Sequence, residues 1–163
     1  MNLTRIAITV SIAVVFVLAL AAYSQQVDTK ADKAALDEIT KITIKAFNEG
    51  NIENYIALIA DDAVWMPPGV GAIVGKDAIR DWYKGFMPNN QFDIDILTES
   101  TESHGEFAFQ RVVMKGTITS KQGGEPFHHN AMALNVLRKQ ADGTWKIWKS
   151  IWNRNREGTD SDN

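Results

Sequence analysis

Four residues in one short stretch constrain this chain more than any other feature. Ile79, Trp82, Tyr83 and Phe86 recur at i, i+3, i+4 and i+7, so a helix through them gathers all four on one face. A face that size and that apolar has to cover something. Almost everything from 91 to 155 reads as strand separated by short turns, so the partner available to it is a sheet. Helices roofing one side of a curved sheet make an α+β fold, and the expected form is a cone: an antiparallel or mixed sheet covered by three N-terminal helices, with a hollow inside.

The residues before that helix predict the other two. Ala35, Ile39, Ile42 and Ala46 form the stripe of a first helix, and Gly50 supplies its left-handed stop. Asn51 can cap a second, in which Ile52, Tyr55, Ile56 and Ile59 repeat the same spacing. Asp61 and Asp62 interrupt the pattern, and 63–66 is a short strand ended by Pro67 and Pro68, because proline cannot donate to a ladder. The loop 69–75 sits where a dinucleotide fingerprint would, but its third glycine falls one residue late and no second strand-helix-strand unit follows. Beyond Pro88, four strands are expected over 92–96, 107–119, 126–139 and 145–155, with a polar turn at 99–106 and glycine-bearing turns after it.

The chain opens with Arg5, the uncharged run 6–22 and small residues before Gln25 and Gln26, the order of a secretory signal peptide cleaved near Ser24. The run also reaches the lower length limit of a membrane anchor, so an uncleaved leader is the alternative. Either way the folded part is exported, to the periplasm or beyond. The expected plan is a signal peptide at 1–24, a polar lead-in at 25–33, one domain at 34–155 and a disordered tail at 156–163. There is no cysteine, so burial alone has to stabilise the domain. A formal net charge of −3 argues against a general nucleic-acid binder. Trp145 to Arg156 interleaves aromatic and basic residues as a single-strand-binding surface does, but a strand with lysines on its wet face gives the same pattern.

Several local words resemble the nuclear-transport-factor-2-like superfamily, which includes ketosteroid isomerase and the SnoaL-like polyketide cyclases. They are Asn48-Glu49-Gly50-Asn51, the run from Tyr55 to Asp61-Asp62-Ala63, and the run from Gly75 to Ile79-Arg80 and Trp82-Tyr83. The closing segments Val136 to Lys139 and Asp142 to Asn153 are similar to the secreted SnoaL-like branch. The resemblance implies the cone fold, a pocket within it and no cofactor; it leaves activity open, because that fold hosts isomerases, cyclases, hydrolases and binders. It also implies where steroid-isomerase groups would stand: a carboxylate just after the first strand, a tyrosine near Thr43 and a neutral acid near 132–134. Met66-Pro67-Pro68, Thr43 and Met132 to Leu134 occupy those places, so steroid isomerisation is not expected. An enzyme of this type would be a cofactor-independent isomerase, cyclase or lyase.

Alternation in the third long strand, with Met132, Leu134 and Val136 taken as facing the core, puts His128 and Asn130 on the inner side and His129 outside. His128 is then the candidate general base, with Asn130 and Tyr83 orienting an oxygen; the competing reading is a histidine at the mouth that bonds only to water. His128 and His129 point to opposite faces, so no metal site is expected. Trp65, Trp82 and Phe86 on the helix side and Trp148 and Trp152 on the sheet side are the candidate ligand-binding residues. Arg111 either enters the pocket to hold an anion or lies on the outer face in a dimer contact. Two functions fit: a domain that binds a small apolar or aromatic ligand and pairs as a homodimer through its outer sheet face, or an enzyme using His128.

Overall fold

The structure, a computed structural model, describes residues 30–155. The chain divides into two compact units, 1–34 and 35–163. Of the first, only 30–34 are described, and they are helical. These include 30–33, the described part of the expected polar lead-in. The expected signal peptide, the rest of the lead-in and the tail from 156 lie outside the described residues. Among the described residues no helix is long and apolar enough to cross a membrane.

The second unit opens with helix α1, 35–48, whose stripe buries Leu36, Ile39 and Ala46. Gly50, at φ 66°, takes the left-handed turn that ends it. Asn51 Oδ1 accepts the Asn54 N–H at 3.2 Å and caps α2 (Ile52–Ile56). α2 is shorter than its apolar spacing suggests, because β1 (Ile59–Met66) begins at Ile59 and not at 63. Ile59 is buried as a strand residue paired to Ile147, and Asp61 and Asp62 project to solvent from within the strand. An apolar residue at i+7 fits both periods; the parallel ladder with the last strand decides between them.

The glycine-rich loop contains a two-residue strand, β2 (Ile73–Val74), held to β1 through Trp65↔Ile73. α3 (Lys76–Lys84) follows, burying Ile79 and Tyr83, and a 3-10 turn at Met87–Asn89 leads into the long strands. These are β3 (Asn90–His104), β4 (Phe107–Ser120), β5 (Phe127–Lys139) and β6 (Trp145–Arg154). β3 runs on through the segment expected as a polar turn. A bulge at Glu99 resets its register, and the polar residues beyond continue the ladder with β4.

Among the described residues the sheet has the order β2-β1-β6-β5-β4-β3, parallel only between β1 and β6, and its end strands β2 and β3 do not pair with each other. Trp65 of β1 and Phe92 of β3 line one cavity although they lie four strand positions apart, about 19 Å in a flat sheet. The sheet is therefore curled toward the helices, and the buried core fills part of that concavity. β3 is gripped at the bend. Asn48, at the end of α1, donates Nδ2 to the Ile94 carbonyl and accepts the Ile94 N–H, both at 2.9 Å, standing in for a neighbouring strand. On the other side Gly116, at φ 149°, approaches so closely that a Cβ would lie 2.1 Å from the Asp93 carbonyl oxygen.

Candidate functional site

The concave face of the sheet and helices α1 to α3 enclose a cavity of about 310 Å³, at the lower end of the small-molecule range. Its apolar wall includes Phe92, Val112 and Met114 from the sheet. From α3 and its end come Trp82 and Phe86. Trp82 packs edge-on against Tyr83 at 4.8 Å, Phe86 at 5.1 Å and Trp152 at 6.0 Å, a geometry in which ring edges meet the negative faces of their neighbours.

A polar row crosses this floor. Gln110, Asn135, Ser150 and Trp65 are successive register partners on β4, β5, β6 and β1, and all four line the cavity. Gln110 is spent on structure, its Nε2 donating to the Leu36 carbonyl at 3.3 Å and to Thr101 Oγ1 at 3.4 Å. Ser150 Oγ donates to Asn135 Oδ1 at 2.7 Å, which leaves the Asn135 amide protons facing the cavity. Trp65 Nε1 donates to the Tyr83 hydroxyl at 3.3 Å, and that hydroxyl donates to Tyr55 at 3.4 Å. Three donor protons share two bonds, so one phenolic proton is left over on a hydroxyl in the cavity wall. Burial raises the Tyr83 pKa, and burial together with the repulsion that a Tyr83 phenolate would exert lifts Tyr55 well above the ordinary phenol value. Both phenols thus stay protonated and able to donate.

Phe127, His129 and Arg154 form the rim, where the cavity meets solvent. The Arg154 guanidinium lies 5.2 Å from the Phe127 ring centre. Burial, and then the charge of Arg154, lower the His129 pKa, so its imidazole is neutral at neutral pH. Among the described residues no three His, Cys, Asp or Glu side chains are grouped as a metal site requires.

Trp65, Trp82, Tyr83, Phe86 and Trp152, singled out from the sequence, line this cavity. His128, Asn130, Arg111 and Trp148 do not. The β5 alternation is the reverse of the expected one: Ala131, Ala133 and Leu137 are buried, while Met132 and Leu134 are 39% and 45% exposed on the outer face. A wall around a hollow carries small side chains to leave room, so its apolar bulk sits on the other side. His128 goes outward with Met132, Asn130 accepts from Asn155 Nδ2 at 2.9 Å, and His129 is the inward imidazole. On β4 Gln110 and Val112 are buried and Arg111 takes the outer of its two expected places, 3.0 Å from Glu99 and outside the ligand site. Trp148 leaves the inner face at the bulge between the pairs Val136↔Lys149 and Leu137↔Ile147. Its Nε1 donates to Asp62 at 3.1 Å, and its ring lies between Arg138 and Lys149.

Tyr55, Gln110, Asn135, Ser150, His129 and Arg154 are among the cavity residues that the sequence reading missed. Asn135 lies just past the 132–134 stretch where the superfamily resemblance implies a neutral acid, and an amide is likewise a donor without a charge. Met66-Pro67-Pro68 closes β1 with no carboxylate, and the Thr43 hydroxyl donates to the Ile39 carbonyl at 2.8 Å.

Residues 43–148 match the SnoaL-like domain family. A solved ketosteroid isomerase-like protein from Erwinia carotovora atroseptica is 29% identical at a TM-score of 0.69, covering 76% of this chain and 95% of that one. A conserved protein from Planctomyces limnophilus is 17% identical at a TM-score of 0.71, covering 77% and 99%. A hexachlorocyclohexane dehydrochlorinase from Novosphingobium barchaimii is 16% identical at 0.67, covering 80% and 91%. At such identities the last two share the fold. No curated protein matches the chain.

Proposed function

The chain belongs to the SnoaL-like domain family, and from that premise we propose that it is an exported domain binding a mostly apolar small molecule that carries an acceptor oxygen. The observation that supports this reading is the polar row within an aromatic cavity. Asn135 and the leftover phenolic proton are donors without a structural acceptor, set in a wall of indole and benzyl groups. A ligand carbonyl gives them one, and the apolar body of the ligand replaces water against Trp82, Phe86 and Trp152. His128, expected from the sequence as the general base, is on the outer face, and the imidazole at the cavity rim is that of His129. Export rests on the leader-like order of residues 1–24.

The outer face supports the second half of the proposal, a homodimer. Leu134 and Ile151 are register partners, 45% and 49% exposed, and Met132 on β5, Phe109 on β4 and Leu97 on β3 extend the patch. A row of this kind on an outer sheet face fits a second copy of itself around a two-fold axis.

Calorimetric titration of 2-acetylnaphthalene and 2-ethylnaphthalene into the wild-type domain and Asn135→Leu tests the binding reading. The expected result is about fivefold tighter binding of the ketone by the wild type, a preference lost in the variant while the hydrocarbon binds both alike. No binding of either compound, or no preference for the ketone, contradicts it.

A further inference from the structure

The cavity wall has one formal charge. Among the described residues that line it there is no Asp, Glu or Lys, and Arg154 is the single permanently charged group, in a chain that has more acidic than basic residues. No carboxylate of the described residues lies within ion-pair distance of Arg154. Arg80, Arg111 and Arg138, by contrast, each hold a carboxylate partner. Arg154 shares the inward parity of Trp152 on β6, and its guanidinium packs over Phe127 at the rim. That contact directs the charge across the cavity mouth without neutralising it.

We infer that the ligand of this site is an amphipathic oxo-carboxylate, with its carbonyl at the polar row and its carboxylate held at the rim by Arg154. The inference rests on the binding reading above and adds the anionic end. A planar guanidinium suits a carboxylate because its parallel N–H groups match the two oxygens. The spacing is set by β5. Arg154 pairs with Ala131, which stands four residues, about 13 Å of strand, from Asn135, and its guanidinium leans to the far side, over Phe127, so none of that distance is taken up by the arginine side chain. After a hydrogen-bond length at each end, a carbonyl and a carboxylate separated by about seven carbons fit that distance. Neutral His129, on the same rim, adds a polar group without a competing charge.

Titration of 9-(2-naphthyl)-9-oxononanoate and its methyl ester into the wild-type domain and Arg154→Gln, at low and high salt, tests this. The wild type is expected to bind the acid about tenfold tighter than the ester, with the advantage shrinking as salt rises. Arg154→Gln is expected to bring the acid down to the level of the ester and leave the ester unchanged. If acid and ester bind the wild type equally well, the anionic end is overturned while the apolar carbonyl site stands. If neither binds, both readings fall together.

Discussion

Gly116→Ala lowers the unfolding free energy by at least about 3 kcal/mol, because nothing near the new methyl can move aside cheaply. A Cβ at this position meets backbone on three counts: the Asp93 carbonyl oxygen at 2.1 Å, Ile94 Cα at 2.7 Å and the Asp93 carbonyl carbon at 2.9 Å. β3 cannot retreat easily, since Asn48 holds Ile94 from the other side with two hydrogen bonds. Gly123→Ala is the control. Gly123 also has a positive φ, 95°, but its Cβ would meet nothing within 4 Å, so its loss is expected to be about 1 kcal/mol. Denaturant titrations of the two variants separate crowding from backbone strain. Equal losses would show that the close approach of β4 to β3 is not what Gly116 provides.

Leu134→Asp weakens self-association by at least about 100-fold. Leu134 lies on β5 between Arg111 and Ile151, its register partners on β4 and β6, in the middle of the exposed apolar patch. A carboxylate there would have to leave water for two copies to pair, and Arg111, its cross-strand neighbour, already holds Glu99, so the cost is several kcal/mol, while in the monomer it stays in water. The substitution is on the outer face, away from the cavity, so ligand binding and the circular dichroism spectrum are expected to be unchanged. Sedimentation equilibrium reads the outcome. A wild-type domain that stays monomeric at high micromolar concentration, or a variant that still pairs, removes the dimer from the account.

The fold was legible because each helix signal had a single physical reading. Gly50 could only end α1, Asn51 could cap α2, and the Ile79, Trp82, Tyr83, Phe86 spacing needed a sheet to cover. Element ends were less legible where two periods shared a residue, as at Ile59, or where polar residues pair as a strand, as in 99–104. The site was legible only on the helix side. Period-two alternation sorts side chains into two faces without saying which face is hollow, and hydrophobicity points the wrong way when the outer face is an apolar patch and the inner one borders a cavity. Met132 and Leu134 drew the inner face to the wrong parity, and His128 and Asn130 went with them. Trp148 was lost to a bulge, which shifts parity at one point and has no sequence signature of its own. Ala131 and Ala133 were the available clue, since two alanines on one face of a long strand mark the side that leaves space.

The five tryptophans divide into those that border the cavity and those that do not, and each has one indole N–H visible as a separate resonance in a nitrogen-proton correlation spectrum. Titration with 2-acetylnaphthalene is predicted to shift the signals of Trp65, Trp82 and Trp152, which line the cavity, and to leave Trp145 and Trp148 in place. Movement of Trp148 with Trp65 and Trp82 unmoved would put the ligand on the outside of the sheet and contradict the account.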